Sequence, residues 1–339
     1  MTGYAGAELA RILLHHPRLN LPPVFLGRRG ADETLRLTDI HPQLLGTPNA
    51  DAEIVPFSLD TLEKEGVNIL FLALPHEQSR ELAPLALERN IRVIDLSAAW
   101  RLQHGENRAI YRLSDANPDC AAKLQAEAVY GSPELHAPAI RNARLVANPG
   151  CYATSVILGL APLVRANLAD LSIGIVADSK SGVSGAGKAP TSTTHFMHAA
   201  DNLSAYAVFG HRHMGELLEQ LSLTREQIAF TPHLLPIPRG ILSTIYVRLS
   251  KLCTVDELQS CFDDFYATAP LVRVRRSPQL PQIQHVARTA FCDLGFHLGP
   301  DHRRVIVISC LDNLLKGAAS QAVENMNLMV GFQQQEGLI

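Results

Sequence analysis

Short apolar runs alternate with helical patterns through residues 1–150, and this alternation limits the possible folds more than any other feature. Residues 23–27 (PVFLG), 67–74 (VNILFLAL) and 91–96 (IRVIDL) are apolar enough for buried strands, and residues 77–90 have a helical pattern. Repeated strand–helix–strand units predict a parallel sheet with crossover helices on its faces. We therefore expect the N-terminal half to be a doubly wound α/β domain.

The pattern changes after Leu171, where longer strand patterns are separated by loops rich in glycine and proline. They cover residues 173–176, 241–249 and 305–309, and a helical pattern at 313–330 follows them. This order predicts an α+β domain built on a mixed or antiparallel sheet.

The chain has 339 residues, which is enough for two domains of ordinary size. We expect a first domain over residues 1–148, a second over 149–312, and a C-terminal helix, 313–339, that returns to the first domain. The ligand site should lie between the domains, because open parallel sheets bind ligands at the carboxyl ends of their strands.

Charge and hydropathy exclude several classes of partner. The formal net charge of −3 provides no basic field for nucleic acid. No apolar run approaches the ~18 residues of a membrane span. The N-terminus lacks the basic-then-apolar layout of a signal peptide, so a cytoplasmic location is expected.

One cysteine follows a Pro-Gly turn in Asn148-Pro149-Gly150-Cys151 and opens a helical run. A thiol in the first turn of a helix is near unpaired N–H groups, which lower its pKa and could also hold an oxyanion. The chain has six cysteines and no Cys-x-x-Cys, and scattered thiols in a reducing compartment are mostly buried packing residues. Cys151 is nevertheless the candidate nucleophile.

The segment HRHMGE, residues 211–216, supplies candidate acid and base groups. Alternation predicts that His211 and His213 lie on one side of an extended segment, with Glu216 a turn further. A cysteine nucleophile needs a base to activate it and an acid for the leaving oxygen, and a histidine oriented by a carboxylate meets that need. The alternatives are surface histidines that cap a helix, or a zinc site, although no third convincing group of ligands is present and no metal is expected.

Two segments could bind anions. In KSGVSGAGK, residues 180–188, glycines with Ser181, Ser184 and Lys188 predict a flexible polar loop whose N–H groups approach an anion, although a plain linker is the alternative. Arg239, between Pro238 and Gly240, has the stiffened setting that suits bidentate binding of carboxylate or phosphate. A structural salt bridge is the alternative for Arg239.

The N-terminus resembles part of a dinucleotide-binding loop, with Gly3 and Gly6 three residues apart and a helix predicted behind them. Such a loop follows a strand that ends in a further glycine. The sequence has no such strand before Met1, so either translation starts upstream or the product lacks a central strand. Arg28 and Arg29 follow the strand predicted at 23–26, where arginine accepts a 2′-phosphate; this favours NADP, and a solvated arginine pair is the alternative.

These segments, in this order, resemble the N-acetyl-gamma-glutamyl-phosphate reductases of arginine biosynthesis. The similarity runs from Thr2 to Ile339 and rests on blocks that are specific only in combination. They are GYAGAEL, HPQLLG, ALPHEQS, IDLSAAWRL, VYGSPEL, ANPGCYATS, SGVSGAGK, GHRHMGE, TPHLLPIPRGILSTIYV and DNLLKGAASQAVENMNLM. The wider clan includes the aspartate-semialdehyde and glyceraldehyde-3-phosphate dehydrogenases.

The resemblance implies a reaction and a role for each candidate residue. Cys151 would attack the acyl phosphate of N-acetyl-L-glutamyl 5-phosphate, NADPH would reduce the resulting thioester, and N-acetyl-L-glutamate 5-semialdehyde would leave. A homo-oligomer, dimer or tetramer, is implied. The implied residues are His213 as acid/base with His211 and Glu216 beside it; Arg239, Asn148, Ser181, Ser184 and Lys188 for substrate; Gly3, Tyr4, Ala5 and Gly6 for pyrophosphate; Arg28 for the 2′-phosphate; Pro75 and Ser97 in the cofactor cleft; and Asn313 at the nicotinamide amide.

Two other functions remain open from the sequence. The related reductase of carrier-bound aminoadipyl phosphate takes a substrate one methylene longer, a difference worth only about 1–3 kcal/mol in a pocket. A non-catalytic paralogue is the other alternative, because the first strand is lacking, although Cys151, His213 and Arg239 are all present.

Overall fold

The computed structural model describes residues 2–19, 22–27 and 35–339, which form two α/β units. The helices are α1 (Tyr4–Leu14), α2 (Leu37–Ile40), α3 (Leu59–Lys64), α4 (His76–Glu88), α5 (Gly105–Arg108), α6 (Pro118–Glu127), α7 (Pro133–Asn142), α8 (Cys151–Arg165), α9 (Phe196–Ala199), α10 (Met214–Leu221), α11 (Val255–Phe265), α12 (Ile283–Val286) and α13 (Ala319–Met329). The strands are β1 (Phe25–Gly27), β2 (Ile54–Pro56), β3 (Ile69–Leu72), β4 (Arg92–Asp95), β5 (Val129–Tyr130), β6 (Leu145–Ala147), β7 (Ile175–Gly182), β8 (Ser204–Ala205), β9 (Ile228–Leu235), β10 (Ile241–Arg248), β11 (Val272–Val274), β12 (Cys292–Leu298) and β13 (Arg304–Leu311).

The N-terminal unit is built on parallel strands, as the alternation of apolar runs predicts. Strands β3, β4, β6 and β5 form one parallel sheet in that order, and β1 pairs with β2 in a separate parallel pair. Helices α1, α7 and α13 pack together on one face of the larger sheet, where Leu9, Ile140 and Val323 share a buried cluster with Ile94. The prediction of a parallel α/β unit is confirmed.

A cavity separates the two sheets of this unit. Its volume is about 1960 Å³, and it is lined by β1 on one side and β3 on the other, with Gly3, Gly6 and Pro75 also at its wall. Among the described residues, no strand lies between β1 and β3. The cavity therefore occupies the position where the sequence leads us to expect a central strand.

The second unit is built on a mixed sheet of seven strands in the order β11-β12-β13-β10-β7-β9-β8. Its inner face packs against the almost wholly apolar helix α8 and against α10 and α11, so the main hydrophobic core lies here. The predicted mixed sheet is confirmed. Residues alternate between the two faces, so Val176, Tyr246 and Ile306 of three neighbouring strands form an exposed row on the outer face.

The last helix begins later than its sequence pattern predicts. The pattern starts at residue 313, whereas α13 starts at Ala319 and residues 312–318 form a compact turn. The carboxylate of Asp312 accepts the amide hydrogens of Leu314 and Leu315 at 2.9 and 3.2 Å, which holds a turn in place of helical bonds.

The chain crosses between the two units at residues 148–150, from β6 into α8, and at 312–318, from β13 into α13. Within the described residues, no helix is both long and apolar enough to cross a membrane.

Candidate active site

Cys151 is the first residue of α8, and its position follows from the Pro-Gly turn before it. Gly150 is the N-cap residue, with extended backbone, and the helix is apolar over nearly its whole length and buried against the seven-stranded sheet. The thiol is half-buried at the junction of the two units. The prediction that this cysteine opens a helix is confirmed.

The imidazole of His213 lies directly over Gly150. A Cβ atom added to Gly150 would be 2.7 Å from Cδ2 of His213, so a larger residue at 150 would displace the ring. His213 itself is buried, and its Nδ1 atom has no hydrogen-bond partner among the described residues. The site thus places an imidazole with an unused nitrogen beside the residue that precedes the thiol.

Glu216 holds the same glycine from the other side. Its carboxylate accepts the Gly150 amide hydrogen at 2.9 Å and the Tyr130 hydroxyl at 2.7 Å, and it lies 3.2 Å from Nη1 of Arg101. All of these groups are buried. The sequence suggests a carboxylate that orients a histidine, but in the structure Glu216 instead fixes the backbone that carries the thiol.

Arg101 links this carboxylate to the N-terminal unit. Its Nε donates to the Asn148 carbonyl at 2.7 Å and its Nη2 to the Leu96 carbonyl at 2.9 Å. No local sequence pattern points to Arg101 or Tyr130 as site residues. The only available signal was their place within the IDLSAAWRL and VYGSPEL blocks, because their partners are far away along the chain.

The segment that carries the two histidines is a turn rather than the extended segment that alternation predicts. His213 has helical backbone angles and is the N-cap of α10. The His213 amide donates to Nδ1 of His211 at 3.1 Å, which closes the turn and explains the difference. Both imidazoles still lie together, with ring centres 4.7 Å apart and nearly perpendicular planes. Among the described residues, no cluster of three or more His, Cys, Asp or Glu could hold a metal ion.

Both imidazoles are held in their neutral forms. Burial and the neighbouring Arg212 guanidinium lower the pKa of His211 to about 4. Burial, His211 and two guanidinium groups lower the pKa of His213 well below its usual range. A neutral imidazole at pH 7 can accept a proton, so His213 can act as a base, although its lowered pKa makes it a weaker base than an ordinary histidine.

The pKa of the thiol differs in direction from the sequence-based expectation. Burial raises the pKa of Cys151, although the Tyr152 amide and the guanidinium groups of Arg212 and Arg101 act in the opposite sense. The helix terminus was expected to lower this pKa, but loss of solvation outweighs it. The thiol is therefore protonated at neutral pH, and its activation requires a base.

The segment predicted as a flexible anion-binding loop is partly a strand. Residues 180–182 complete β7, and a short turn of 3₁₀ helix covers Val183–Ala186. Ser181 is buried at the end of the strand, Ser184 accepts a hydrogen bond from Nδ2 of Asn313 at 2.9 Å, and Lys188 is exposed. Pairing with β9 and β10 explains why the chain is ordered here.

The other predicted substrate residues, Arg239 and Asn148, and the predicted nicotinamide residue Asn313 make internal contacts. The guanidinium of Arg239 lies between Glu8 and Asp312, at 2.5 and 2.9 Å, which corresponds to the salt-bridge alternative. Asn148 is fully buried and donates to the Ala318 carbonyl at 3.1 Å. Asn313 accepts the Gly240 amide hydrogen at 2.7 Å, so its side chain is engaged at both ends.

The predicted pyrophosphate residues form the first turn of α1. Gly3 is the N-cap, and Tyr4, Ala5 and Gly6 follow within the helix, which starts earlier than the sequence suggests. A helix N-terminus that borders a cavity is suited to a pyrophosphate, because its first N–H groups have no partner within the helix. These residues therefore fit a dinucleotide.

The remaining cofactor predictions fall on three positions. Pro75 is the N-cap residue of α4 and lines the same cavity as Gly3. Ser97 follows β4, and its hydroxyl donates to Asp95 at 2.7 Å. Arg28 and Arg29 lie outside the described residues.

Comparison with known proteins identifies the family. Two semialdehyde dehydrogenase models match, the NAD-binding domain over residues 1–143 and the dimerisation domain over residues 151–313. An N-acetyl-gamma-glutamyl-phosphate reductase of Desulforapulum autotrophicum is 41% identical over 344 residues, covering 99% of this chain and 95% of that protein. The chain belongs to the N-acetyl-gamma-glutamyl-phosphate reductase family. A reductase of that name from Methanocaldococcus jannaschii is 38% identical over 340 residues, which cover 99% of this chain and 95% of that protein.

Solved structures agree on the fold of this reductase family member. Aspartate semialdehyde dehydrogenase II of Vibrio cholerae superposes with a TM-score of 0.70 at 18% identity, covering 97% of this chain and 96% of the other. The NADP-bound aspartate semialdehyde dehydrogenase of Candida albicans superposes with a TM-score of 0.67 at 14% identity, covering 98% of this chain and 97% of the other. The chain is thus an oxidoreductase that uses a nicotinamide dinucleotide and carries a dimerisation domain.

Proposed function

We propose that this chain reduces N-acetyl-L-glutamyl 5-phosphate to N-acetyl-L-glutamate 5-semialdehyde, with NADPH as reductant and Cys151 as nucleophile. The observation that carries the proposal is the position of Cys151 at the start of α8, directly after Gly150, over which the imidazole of His213 packs. Membership of the reductase family supports the choice of substrate.

The chemistry begins with proton transfer from the thiol to His213. The sulfur then attacks the acyl carbon, the carbon–oxygen bond to phosphate breaks, and phosphate leaves with the electron pair. A thioester remains on Cys151. During the attack the carbonyl oxygen becomes an oxyanion, and N–H groups in the first turn of α8 are placed to stabilise it.

The second half of the reaction restores the thiol. When bound, the dinucleotide would supply a hydride to the acyl carbon. When the carbon–sulfur bond breaks, the aldehyde leaves and the imidazolium of His213 returns its proton to the sulfur. His211 closes the turn that carries His213, and Glu216 fixes Gly150, so we assign both to positioning.

The binding of substrate and cofactor is divided between the two units. Ser181, Ser184 and Lys188 would face the anionic groups of the substrate, whereas Arg239 joins α1 to the second unit through Glu8 and Asp312. The first turn of α1 would hold the pyrophosphate. The preference for NADPH rests on Arg28 and Arg29, because arginine after this strand accepts a 2′-phosphate.

The active species is a homodimer joined through the outer face of the seven-stranded sheet. Val176, Tyr246 and Ile306 are 45%, 45% and 38% exposed and lie side by side in register. Exposed contiguous apolar surface of this kind marks interaction sites. The match to a dimerisation domain over residues 151–313 supports a second copy as its partner.

The test measures reductase activity in the reverse direction, from aldehyde, phosphate and NADP⁺. Cys151→Ser should abolish turnover while thermal melting stays within a few degrees, because serine is a much weaker nucleophile at neutral pH. The matched control is Cys120→Ser, which changes a half-buried thiol in α6, remote from the site. Turnover by the Cys151 variant, or equal loss in both variants, would contradict the assignment.

A further inference from the structure

A lysine is buried between two carboxylates where the last helix meets the rest of the protein. Nζ of Lys316 lies 2.6 Å from Glu134 of α7 and 2.6 Å from Glu324 of α13. The Lys316 side chain is 0% exposed and each glutamate side chain 1%. The hydroxyl of Ser132 also donates to Glu134, at 2.9 Å. The proposed reaction uses none of these groups.

Two carboxylates and one ammonium leave a surplus negative charge in the interior unless one carboxylate keeps a proton. Burial raises the pKa of Glu324 to about 7, with Lys316 acting against this. Burial also opposes ionisation of Glu134, but the charge and hydrogen bond of Lys316 lower its pKa overall. Below pH 7 the buried proton thus belongs to Glu324, and the trio is neutral.

Two other titratable groups face this cluster, and both are uncharged near neutral pH. Burial raises the pKa of Tyr266 well above the usual range, and the charge of the nearby Glu134 raises it further. Cys292 of β12 lies near Lys316 and Glu134, and burial raises its pKa to about 12. The pH response of the cluster near neutrality therefore comes from Glu324.

The residue that follows Lys316 in the chain packs directly against the nucleophile. This residue is Gly317, and a Cβ atom added to it would lie 2.7 Å from Cβ of Cys151. The next carbonyl, that of Ala318, accepts a hydrogen bond from Asn148 at 3.1 Å. Any movement of the turn at 312–318 would therefore move the backbone that packs against Cβ of Cys151.

We propose that Lys316, Glu134 and Glu324 position the thiol, because the ammonium shared by two carboxylates fixes the turn that packs against Cys151. The three residues touch neither substrate nor cofactor, so they are positioning residues. The inference rests on the proposed role of Cys151 as nucleophile. When Glu324 loses its proton, an uncompensated negative charge arises behind Cys151. The hold of the three residues on the turn therefore weakens as pH rises through neutrality.

The sign of the pH effect follows from the direction of the Glu324 shift. The folded protein binds the Glu324 proton more tightly than the unfolded chain does, because the pKa of glutamate in an unfolded chain is ~4.3. The stabilisation is thus complete below that value and is lost as pH rises through about 7. Glu324→Gln removes the titration and keeps an oxygen that accepts a hydrogen bond from Lys316.

The first experiment compares thermal melting of the full-length protein and Glu324→Gln between pH 5 and 8.5. The difference in melting temperature between Glu324→Gln and wild type should increase by several degrees in favour of the variant as pH rises over this range. Above pH 7, kcat of the variant should decline less than kcat of the wild type. Glu127→Gln, which breaks an exposed ion pair with Arg144, is the matched control and should show neither trend. Parallel pH profiles for wild type and Glu324→Gln would overturn the proposal.

The second experiment asks whether the cluster acts through the thiol. Lys316→Met, assayed at pH 6, should lower kcat by roughly 10²-fold, the cost of about 1 Å of misplacement. KM for the acyl phosphate should change far less. The rate at which iodoacetamide alkylates Cys151, followed by mass spectrometry, should rise several-fold.

The outcomes separate this inference from the proposed function. If wild type shows no reductase activity, the proposed function fails, but melting and alkylation still decide whether the cluster holds the thiol. If Lys316→Met folds with unchanged kcat and alkylation, the positioning role is wrong. If Lys316→Met does not fold, the pH profiles of Glu324→Gln decide.

Discussion

At the residue scale, the active site combines two groups that are uncharged at neutral pH. Burial raises the pKa of Cys151 and lowers that of His213, so the site holds a thiol and an imidazole rather than a thiolate and an imidazolium. Gly150 lets the His213 ring pack next to the residue that carries the thiol, because any side chain at 150 would meet the ring. The resting enzyme is consequently less reactive toward alkylating agents than a pre-formed thiolate would be, and the proton must move when substrate binds.

Replacement of His213 should remove the base. His213→Gln is expected to lower kcat by about 10²–10⁴-fold, the usual contribution of general acid–base catalysis, whereas His211→Gln should cost less because it acts through the turn. In the wild type, kcat/KM should stay level from pH 7 to 6 and fall only at lower pH on the acid side, since the pKa of His213 lies well below its usual range. An acid limb centred near 6.5, or a larger loss in His211→Gln, would refute this assignment.

Cofactor choice should depend on Arg28. If its guanidinium binds the 2′-phosphate, wild type prefers NADPH strongly, and Arg28→Ala weakens NADPH while leaving NADH unchanged. Steady-state KM values for both cofactors measure this, and Arg36→Ala, at an exposed arginine paired with Asp51, is the control. Equal use of NADPH and NADH by wild type would contradict the prediction.

At the scale of single elements, the seven-stranded sheet uses its two faces differently. Inward residues such as Ala177, Ile245 and Val307 are buried under α8, while their neighbours Tyr246 and Ile306 face outward and are partly exposed. The period of two in a strand produces this division. The outer face can therefore be altered without disturbing the core that supports Cys151.

A charge at the centre of the outer row should prevent dimerisation. Tyr246→Asp is expected to give a folded monomer by analytical ultracentrifugation, because an aspartate would be buried without a partner at the interface. Leu252→Asp, at an exposed apolar position outside the row, is the control and should remain dimeric. A Tyr246→Asp dimer at micromolar concentration would show that the interface lies elsewhere.

At the scale of the whole molecule, the sequence predicts elements well and contacts between distant residues poorly. The strands near 70 and 93 and the start of α8 follow from local periodicity and a Pro-Gly turn. The contact of Arg101 with Glu216, more than a hundred residues away, depends on how the two units pack, which no local pattern encodes. The pKa of Cys151 differs from expectation for the same reason, since burial is a tertiary property.

The cavity between β1 and β3 predicts a stability effect. Among the described residues, β1 pairs only with β2 and β3 only with β4, and each unpaired buried backbone group costs about 1–3 kcal/mol. An extension of about eight apolar, β-branched residues before Met1, at ~3.3 Å per residue, should enter the cavity as a parallel strand. It should raise the melting temperature and tighten NADPH binding.

Thermal melting with and without NADPH tests this for the protein with and without the extension. The control is an extension of equal length with proline at alternate positions, which cannot donate the ladder hydrogen bonds. The protein without the extension could melt in one cooperative transition, and NADPH could raise its melting temperature as much as that of the extended protein. In that case the strand is dispensable.

The two chain crossings have a mechanical consequence. They run through residues 148–150 and 312–318 and meet beside the thiol, where Gly317 packs against Cys151. A rotation of one unit against the other must bend the backbone there, so an axis through both crossings passes close to the sulfur. Such a rotation would therefore displace the far ends of the two units more than it displaces the nucleophile.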